Sequence, residues 1–504
     1  MHSRVLGLLL AAVLAISAAL NFVNLGSSSL FSDEAIYAVP AHNALAHGQW
    51  YPLIYRDQEY TWKPPLAVWP VAASFLMFGE SAFADRLPSA FFAVLVAGLV
   101  YICASSMLGA WYAFFAAVVF AACPLWFQWH GAREGVADPL LCLLLLGTLA
   151  GYQRYRERGA RLPLAIACGA VALSGLCKGL TGPAFIFVAT ACNECLVAFS
   201  QPRATREPWR RALLRALRTP AVLFVSGVSL YAIWLADNVV RNPGFVAQLY
   251  RDVVSRTLHG VDPDHVQGAG FYLRSLVQVC GYPGLALILF GALVALRSAE
   301  NERLRLTAVW AIAVTVLIHC SVSKLPWYLD SALPAMAILA AAGMRAIIGT
   351  MPRGWLFAAA SIVVPLTVAA NQTLRAWHTV RYAAPRKIHM QALADAVTRT
   401  PEARFYSDNF DHPPTPDFSG WNMYFREWNQ YYLDRLEGVT LPVPDRLQAS
   451  GCDIVLTDRA PQLLARPGFE GARIVRLKRF DHREAELAVM DLCQGRIAAQ
   501  LAGS

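Results

Sequence analysis

Several charged side chains stand where the surrounding text is apolar. Asp33 and Glu34 follow closely on the apolar run Val5–Leu20, and Lys63 leads into Pro64-Pro65-Leu66-Ala67-Val68-Trp69. Arg133, Glu134 and Asp138 separate two further apolar runs. Lys178 is embedded in Gly175-Leu176-Cys177-Lys178-Gly179-Leu180, and Lys324 in Ser321-Val322-Ser323-Lys324-Leu325-Pro326-Trp327. A lysine near the middle of a bilayer costs roughly 2.5–3.5 kcal/mol, and less near the interface, so such residues are placed to meet an anion or to line a polar cavity. Carboxylates of this kind take a proton from a hydroxyl or stabilise positive charge. Clustered cations hold a phosphate and neutralise the charge that grows as it leaves. For any one of these residues the plain alternative is a solvated helix end; the group as a whole favours a site.

The elements that must position them are membrane helices. The 504 residues are 56% hydrophobic and only 15% charged, against about 25% charged in soluble domains. Long charge-free runs occur at Val5–Leu20, Leu87–Met107, Trp111–Trp129, Pro220–Ala236, Ser275–Leu296 and Trp355–Ala370. Several approach the roughly 18–20 residues that cross a bilayer core. The net charge of +9 is therefore no sign of nucleic-acid binding. The arginines fall in clusters between the apolar runs: Arg154 to Arg161, Arg203 to Arg218, Arg297 to Arg305, and Arg345 with Arg353. The positive-inside rule puts these clusters and Arg4 in the cytoplasm. Pro65–Gly79 is too short to span and reads as a re-entrant or interfacial helix.

This gives about eleven spans, at 4–24, 87–107, 111–129, 139–153, 162–177, 180–200, 220–236, 271–296, 307–322, 326–344 and 354–371. With that parity Asp33, Glu34, Lys63, Arg133, Glu134, Asp138, Lys178 and Lys324 are all expected on the outer face. Residues 1–26 resemble a signal peptide in pattern, but an uncleaved first helix is the expectation.

After about Asn371 the text becomes polar. Strand-like pieces at Arg404–Ser407, Asp453–Leu456, Ala472–Leu477 and Leu487–Met490 alternate with helix-like ones at Arg386–Val397 and Trp421–Leu436, which predicts a small α/β domain. An odd number of spans places it outside. All cysteines except Cys452 and Cys493 lie in apolar runs, where a thiol behaves as a small hydrophobe. Cys452 and Cys493 could pair if their region is exported. Cys192 and Cys195 have metal-pair spacing without a second pair of ligands. His259, Asp262, Asp264 and His265 are metal-ligand types in what reads as a solvated loop. His130 and His319 read as interfacial histidines. Trp50, Trp62, Trp69, Trp126 and Trp129 fit an interfacial aromatic belt, one of which could stack on a sugar. No Walker loop or strand-anchored GxGxxG occurs, which argues against a nucleotide site.

The run Ser32-Asp33-Glu34-Ala35-Ile36-Tyr37-Ala38, then Gly48-Gln49-Trp50, Lys63-Pro64-Pro65-Leu66 and Phe83-Ala84-Asp85-Arg86-Leu87-Pro88-Ser89-Ala90, resembles the lipid-carrier-dependent glycosyltransferases of the GT-C fold. The likeness is to aminoarabinose transferases that modify lipid A (ArnT) and to protein O-mannosyltransferases. It continues through Ala132-Arg133 to Asp138, Lys178-Gly179, and Ser323-Lys324 to Tyr328 and Leu333-Pro334. It is specific over roughly residues 30–140 and thinner to about 340.

The resemblance implies a polytopic α-helical membrane protein, GT-C-like with about 11–13 transmembrane helices, and a C-terminal periplasmic α/β domain. Its expected division is a transmembrane domain over 1–371, whose first external loop with interfacial helices is 27–86, and a soluble domain over 372–504. It implies transfer of a sugar from a polyprenyl-phosphate donor to lipid A, a protein or a glycan, and one prominent acidic pair without an obvious second nucleophile points to single displacement with inversion. The expected location is the bacterial inner membrane with the site facing the periplasm, and the expected state is a monomer.

Asp33 then corresponds to the family's essential acidic residue, with Glu34 beside it. Lys63 corresponds to the lysine near the carrier phosphate, and Asp138 to a second acidic position. Arg86, Arg133, Lys178, Lys324, Tyr37 and Tyr328 complete the expected donor-binding set. The chain departs from the aminoarabinose transferases at Ile36, where an arginine is expected, and at Trp62, where a glutamate is. These departures leave the donor sugar open, and no cofactor is called for beyond an optional divalent metal ion. Asp330, where an apolar residue is expected, reads as a partner for Lys324. A transporter or flippase would also have many spans and buried charges, but should show inverted repeats and broken helices, and no repeat is evident. A scaffold without chemistry leaves Lys178 and Lys324 unexplained.

Overall fold

The structure is a computed structural model. It describes residues 2–30, 33–55, 58–128, 130–199, 208–260, 263–298 and 301–382, and beyond 392 five strands with a few positions beside them. The chain is a polytopic α-helical membrane protein. It divides into two compact units, Met1–Leu25 with Pro40–Ala383, and Gly26–Val39 with Ala384–Ser504.

The first unit is helical. Among the described residues eight helices are long and apolar enough to cross a membrane: α1 (His2–Phe22), α4 (Ala82–Leu108), α8 (Arg161–Lys178), α9 (Thr181–Phe199), α10 (Trp209–Arg241), α13 (Phe271–Arg297), α14 (Glu302–Cys320) and α16 (Trp355–Tyr382). Between them lie α7 (Asp138–Arg158), α5 (Ala110–Ala121) and α15 (Leu333–Gly349). The last two are shorter apolar helices at positions where sequence predicts spans. The expected run 111–129 is interrupted, because α5 stops at Ala121 and a separate α6 (Pro124–Gln128) follows. The expected run 326–344 likewise starts as a 3₁₀ turn at Pro326–Leu329 before α15 begins. Proline at the head of both α6 and that turn fits a chain that must bend there.

The Pro65–Gly79 region folds as a 3₁₀ turn, Pro65–Ala67, and a ten-residue helix α3 (Trp69–Phe78). At about 1.5 Å per residue α3 is only about 15 Å long, consistent with a segment that does not span. Beyond α10 the chain continues through α11 (Phe245–Leu249), a π turn (Tyr250–Ser255) and α12 (Arg256–Leu258). Helix α13 is broken at Gly281 (φ 67°, ψ 173°), two residues before Pro283.

Helices α8 and α10 touch backbone to backbone. A Cβ at Gly175 would stand 2.1 Å from the carbonyl oxygen of Gly227, so small residues at this crossing are what permit the contact. The outward faces are apolar, with Leu76, Val225, Leu289 and Leu356 all well exposed. In water that would be a liability; in a bilayer it is the lipid-facing surface.

The second unit contains the start of α2 (Asp33–Ala46) and a five-stranded sheet. Its strands are β3 (Ala403–Ser407), β4 (Thr440–Pro442), β5 (Cys452–Thr457), β6 (Arg473–Arg476) and β7 (Ala488–Asp491), in the order β4-β3-β5-β7-β6. β3 runs parallel to β4 and β5, and β7 antiparallel to β5 and β6. Four of these strands overlap the four strand-like stretches of the sequence, and β4 was not expected. The helix-like stretch 421–436 lies outside the described residues, as does most of 386–397. Cys452 and Cys493 are disulfide-bonded.

Candidate functional site

Loops of the first unit are stitched to the ends of its helices by residues of the motif-bearing segments. Ser81 caps α4 by accepting from the backbone N–H of Ala84, a common way to satisfy a helix's first donors. One turn on, Arg86 is buried and donates through Nη1 to the carbonyl of Leu25 at 2.9 Å. Ser89 exchanges hydrogen bonds with Val136, donating to its carbonyl at 2.8 Å and accepting from its N–H at 3.1 Å. Arg133 donates to the carbonyls of Leu20, Asn21 and Val23 at 2.7, 3.0 and 2.8 Å. A guanidinium there satisfies the open carbonyls at the end of α1 and complements its dipole. Burial, with Arg86 nearby, brings Arg133 down to about 10. Arg86 and Arg133 thus hold backbone at the helix end and fix the loop that delivers Asp138.

Asp138 opens α7, with Pro139 behind it. Lys178 closes α8, which ends at Gly179 with φ 64°. That conformation favours glycine, and a Cβ at Gly179 would also crowd the ring of Tyr231 at 3.2 Å. The two helix ends bring Lys178 Nζ to 2.5 Å from Asp138 Oδ1, with both side chains largely buried. Tyr328 lies within electrostatic range of Lys178. The Cys177 thiol is within range of Asp138, Lys178 and Lys63 alike, so these groups share one neighbourhood. Asp330 is also within electrostatic range of Asp138, Lys178 and Glu134. It is 1% exposed, and neither carboxyl oxygen has a hydrogen-bond partner among the described residues. Burial, reinforced by Asp138 and opposed by Lys178, pushes the Asp330 carboxyl well above the usual carboxylate range.

The expected pairing of Asp330 with Lys324 does not form. Lys324 Nζ donates instead to the carbonyls of Gln267 (3.2 Å) and Ser321 (2.5 Å). Its N–H bonds the carbonyl of His265 beside the Val266–Ser323 bridge. The reason is local: a buried ammonium takes the nearest acceptors, one from the loop before α13 and one from the C-terminal cap of α14.

Lys63 lines a pocket with Tyr51, Tyr60, Trp234, Asn238 and Arg241. The loop that carries it contains a two-stranded hairpin, β1 (Ile54–Tyr55) and β2 (Gln58–Glu59), and is clamped to the end of α10. Arg241 binds Glu59 at 2.8 Å and Asp237 at 2.7 Å, and its guanidinium lies 5.2 Å from the Tyr51 ring centroid. The Tyr51 hydroxyl donates to Asp237. Burial, with Asp237 as its acceptor, raises Tyr51 to about 12. Asn242 donates to Glu59 at 2.7 Å, and Thr61 to Gln248 at 2.8 Å. Sequence reasoning missed Glu59, Asp237 and Arg241; the i,i+4 acid–base spacing of Asp237 and Arg241 at the end of an apolar run was the available signal.

Asp33 and Glu34 lie in the first turn of α2, and Glu34 and Tyr37 are buried. All three belong to the second unit, and the remaining predicted residues to the first. Among the tryptophans, Trp62 is partly exposed and packs on Tyr55 and Tyr60. Trp126 is fully buried against Phe120 and so is core, contrary to its expected place in an aromatic belt. Trp129 and Asp262 lie outside the described residues. His130 stacks on Trp327 with centroids 4.2 Å apart. Among the described residues no cluster of three or more His, Cys, Asp or Glu is arranged to hold a metal ion.

Comparison with known proteins gives the same picture at low identity. Residues 62–236 match the model of the dolichyl-phosphate-mannose-protein mannosyltransferase family. The chain is 24% identical over 321 residues to an undecaprenyl phosphate-alpha-4-amino-4-deoxy-L-arabinose arabinosyl transferase of Pseudomonas savastanoi pv. phaseolicola, covering 61% of this chain and 56% of the relative. A second such transferase, from Pseudomonas fluorescens, is 22% identical over 61% of this chain and 51% of its own length. The chain thus spans little more than half of these curated relatives. The crystal structure of ArnT from Cupriavidus metallidurans bound to undecaprenyl phosphate superposes with a TM-score of 0.66 at 18% identity, covering 96% of this chain and 97% of that one. The apo form of that protein gives 0.64. The chain has the GT-C fold and resembles lipid-carrier glycosyltransferases of the ArnT type.

Proposed function

We propose that this protein transfers a sugar, with inversion, from a polyprenyl-phosphate donor to an envelope acceptor at the periplasmic face of the bacterial inner membrane. Lipid A is the acceptor we favour, with a protein or glycan hydroxyl as the alternatives. The observation that carries this reading is the shared neighbourhood of Lys63, Asp138, Lys178 and Tyr328 in the first unit. Lys63 stands beside Tyr51, Tyr60 and Trp234, so a carrier phosphate reaching it meets a cation next to aromatic side chains.

In the proposed reaction the acceptor hydroxyl attacks the anomeric carbon as its proton passes to the carboxylate of Asp33, with Glu34 beside it stabilising the positive charge that develops at the anomeric carbon. The bond from the anomeric carbon to the phosphate oxygen breaks, and its electron pair leaves on the polyprenyl phosphate. Lys63 neutralises that phosphate, with Arg86, Arg133, Lys178 and Lys324 adding to the positive field and Asp138 holding Lys178 in place. Tyr37 and Tyr328 orient the donor.

The test is turnover with a defined polyprenyl-phosphate sugar. Asp33→Asn should lose at least about a hundredfold in kcat, and wild-type turnover in that variant would end the assignment. Lys63→Ala should weaken the donor more than the acceptor; equal weakening counts against the phosphate role. Mass spectrometry of lipid A and glycoproteins from cells with and without the gene identifies the acceptor.

A further inference from the structure

Far from the outer loops, a second cavity of about 330 Å³ lies between α4, α7, α14 and α15. Its walls are apolar, including Leu99, Leu146, Leu149, Leu306, Trp310 and Ile338. Arg154 and Arg303 stand among its lining residues. Arg154 is more than four turns along α7 from Asp138, about 24 Å at 1.5 Å per residue, so this cavity is separate from the Lys63 neighbourhood.

The chemistry of the cavity and its rim narrows the occupant. An apolar cavity of this kind does not hold water well, and these helices are surrounded by hydrocarbon. Ile102 lines the cavity and is 44% exposed, so the wall is continuous with the lipid-facing surface. The two arginines differ. Arg303 is held by the Glu157 carboxylate. Arg154 is exposed and makes no ion pair among the described residues, and it is left as a cation at the mouth of an acyl-sized hole.

We propose that this cavity binds one anionic phospholipid from the leaflet bordering the arginine-rich helix ends, with an acyl chain inside and the phosphate on Arg154. Basic pockets between membrane helices on that side are suited to such headgroups. A zwitterionic lipid offers the same chain but no net charge to match Arg154.

Trp310 in the wall supplies the probe. The full chain in detergent is titrated with phosphatidylglycerol brominated on its acyl chains, and the Trp310 contribution is taken as the difference between wild type and Trp310→Phe. Saturable quenching is expected, weaker with brominated phosphatidylcholine. Arg154→Gln should raise the half-saturating lipid about fivefold, while Ala150→Phe, which fills the cavity, should abolish the quenching. Equal quenching by the two headgroups, or an Arg154→Gln variant that titrates as wild type, overturns the proposal. Displacement of the brominated lipid by equimolar undecaprenyl phosphate also overturns it, in favour of a carrier tail. None of these readouts depends on sugar transfer.

Discussion

The two ends of α7 handle charge in opposite ways. At its C-terminal end the charged groups other than Arg154 satisfy one another. Arg156 binds Glu194 at 2.8 Å and reaches Glu302 at 3.5 Å, Tyr152 donates to Glu194 at 2.6 Å, and Glu157 takes both Arg303 and Gln153. At its N-terminal end Asp138 is spent on Lys178, while Asp330 beside them is buried without a hydrogen-bond partner. The first arrangement laces helices together. The second stores an unmet polar group in a low-dielectric site, which is costly for folding and useful for holding a charged ligand. That difference supports the proposal that the N-terminal end of α7 is the working one.

The sharpest way to break this comparison is Lys178→Ala. Removing one partner of a buried pair leaves the other charge uncompensated and costs about 3–5 kcal/mol. Thermal unfolding in detergent should show a large loss, and transfer should fall with it. The double variant Asp138→Asn with Lys178→Gln should recover much of the stability and little of the transfer; full recovery of both would make the pair merely structural.

Asp330→Asn is the next largest test and has a definite sign. The Asp330 carboxyl is raised in the folded state, so folded protein binds the proton more tightly than unfolded chain. Stability therefore falls as pH rises above about 4, the unfolded value. The amide variant lacks this slope. It should be more stable than wild type at neutral pH, with the gap closing as pH falls towards about 4. A gap independent of pH would show that Asp330 is not held protonated.

A smaller effect is expected at the clamp on the Lys63 loop. Arg241→Gln breaks half-exposed pairs with Glu59 and Asp237, whose attraction solvent largely screens. It should raise the donor KM while unfolding shifts little. Smallest of all, Glu157→Gln at the laced end should cost under about 1 kcal/mol and leave transfer unchanged. If Glu157→Gln impairs transfer as much as Lys178→Ala, the contrast between the two ends is wrong.

Much of this was legible residue by residue. Hydropathy located the long spans, and length marked 65–79 as too short to cross. Alternation found the edges of β3, β5, β6 and β7. The sequence also singled out Lys63, Asp138, Lys178 and Tyr328, which the fold gathers. It misjudged Asp330 and Lys324, and it missed Glu59, Asp237 and Arg241. It also put Trp126 in a belt when the chain turns it into the core between α5 and α6.

What the order of residues determined by itself is which segments leave water and which side chains carry charge there. That is a local property, set by the transfer cost of each residue within a span-length window. Partner choice was settled only by tertiary structure. Asp138 meets Lys178 at two helix ends, and Glu59 of the hairpin meets Arg241 at the end of α10, because segments far apart in the chain arrive within about 3 Å of each other. Electrostatic pairing falls off over a few ångströms in space and carries no memory of distance along the chain, so no local reading of the text could assign it.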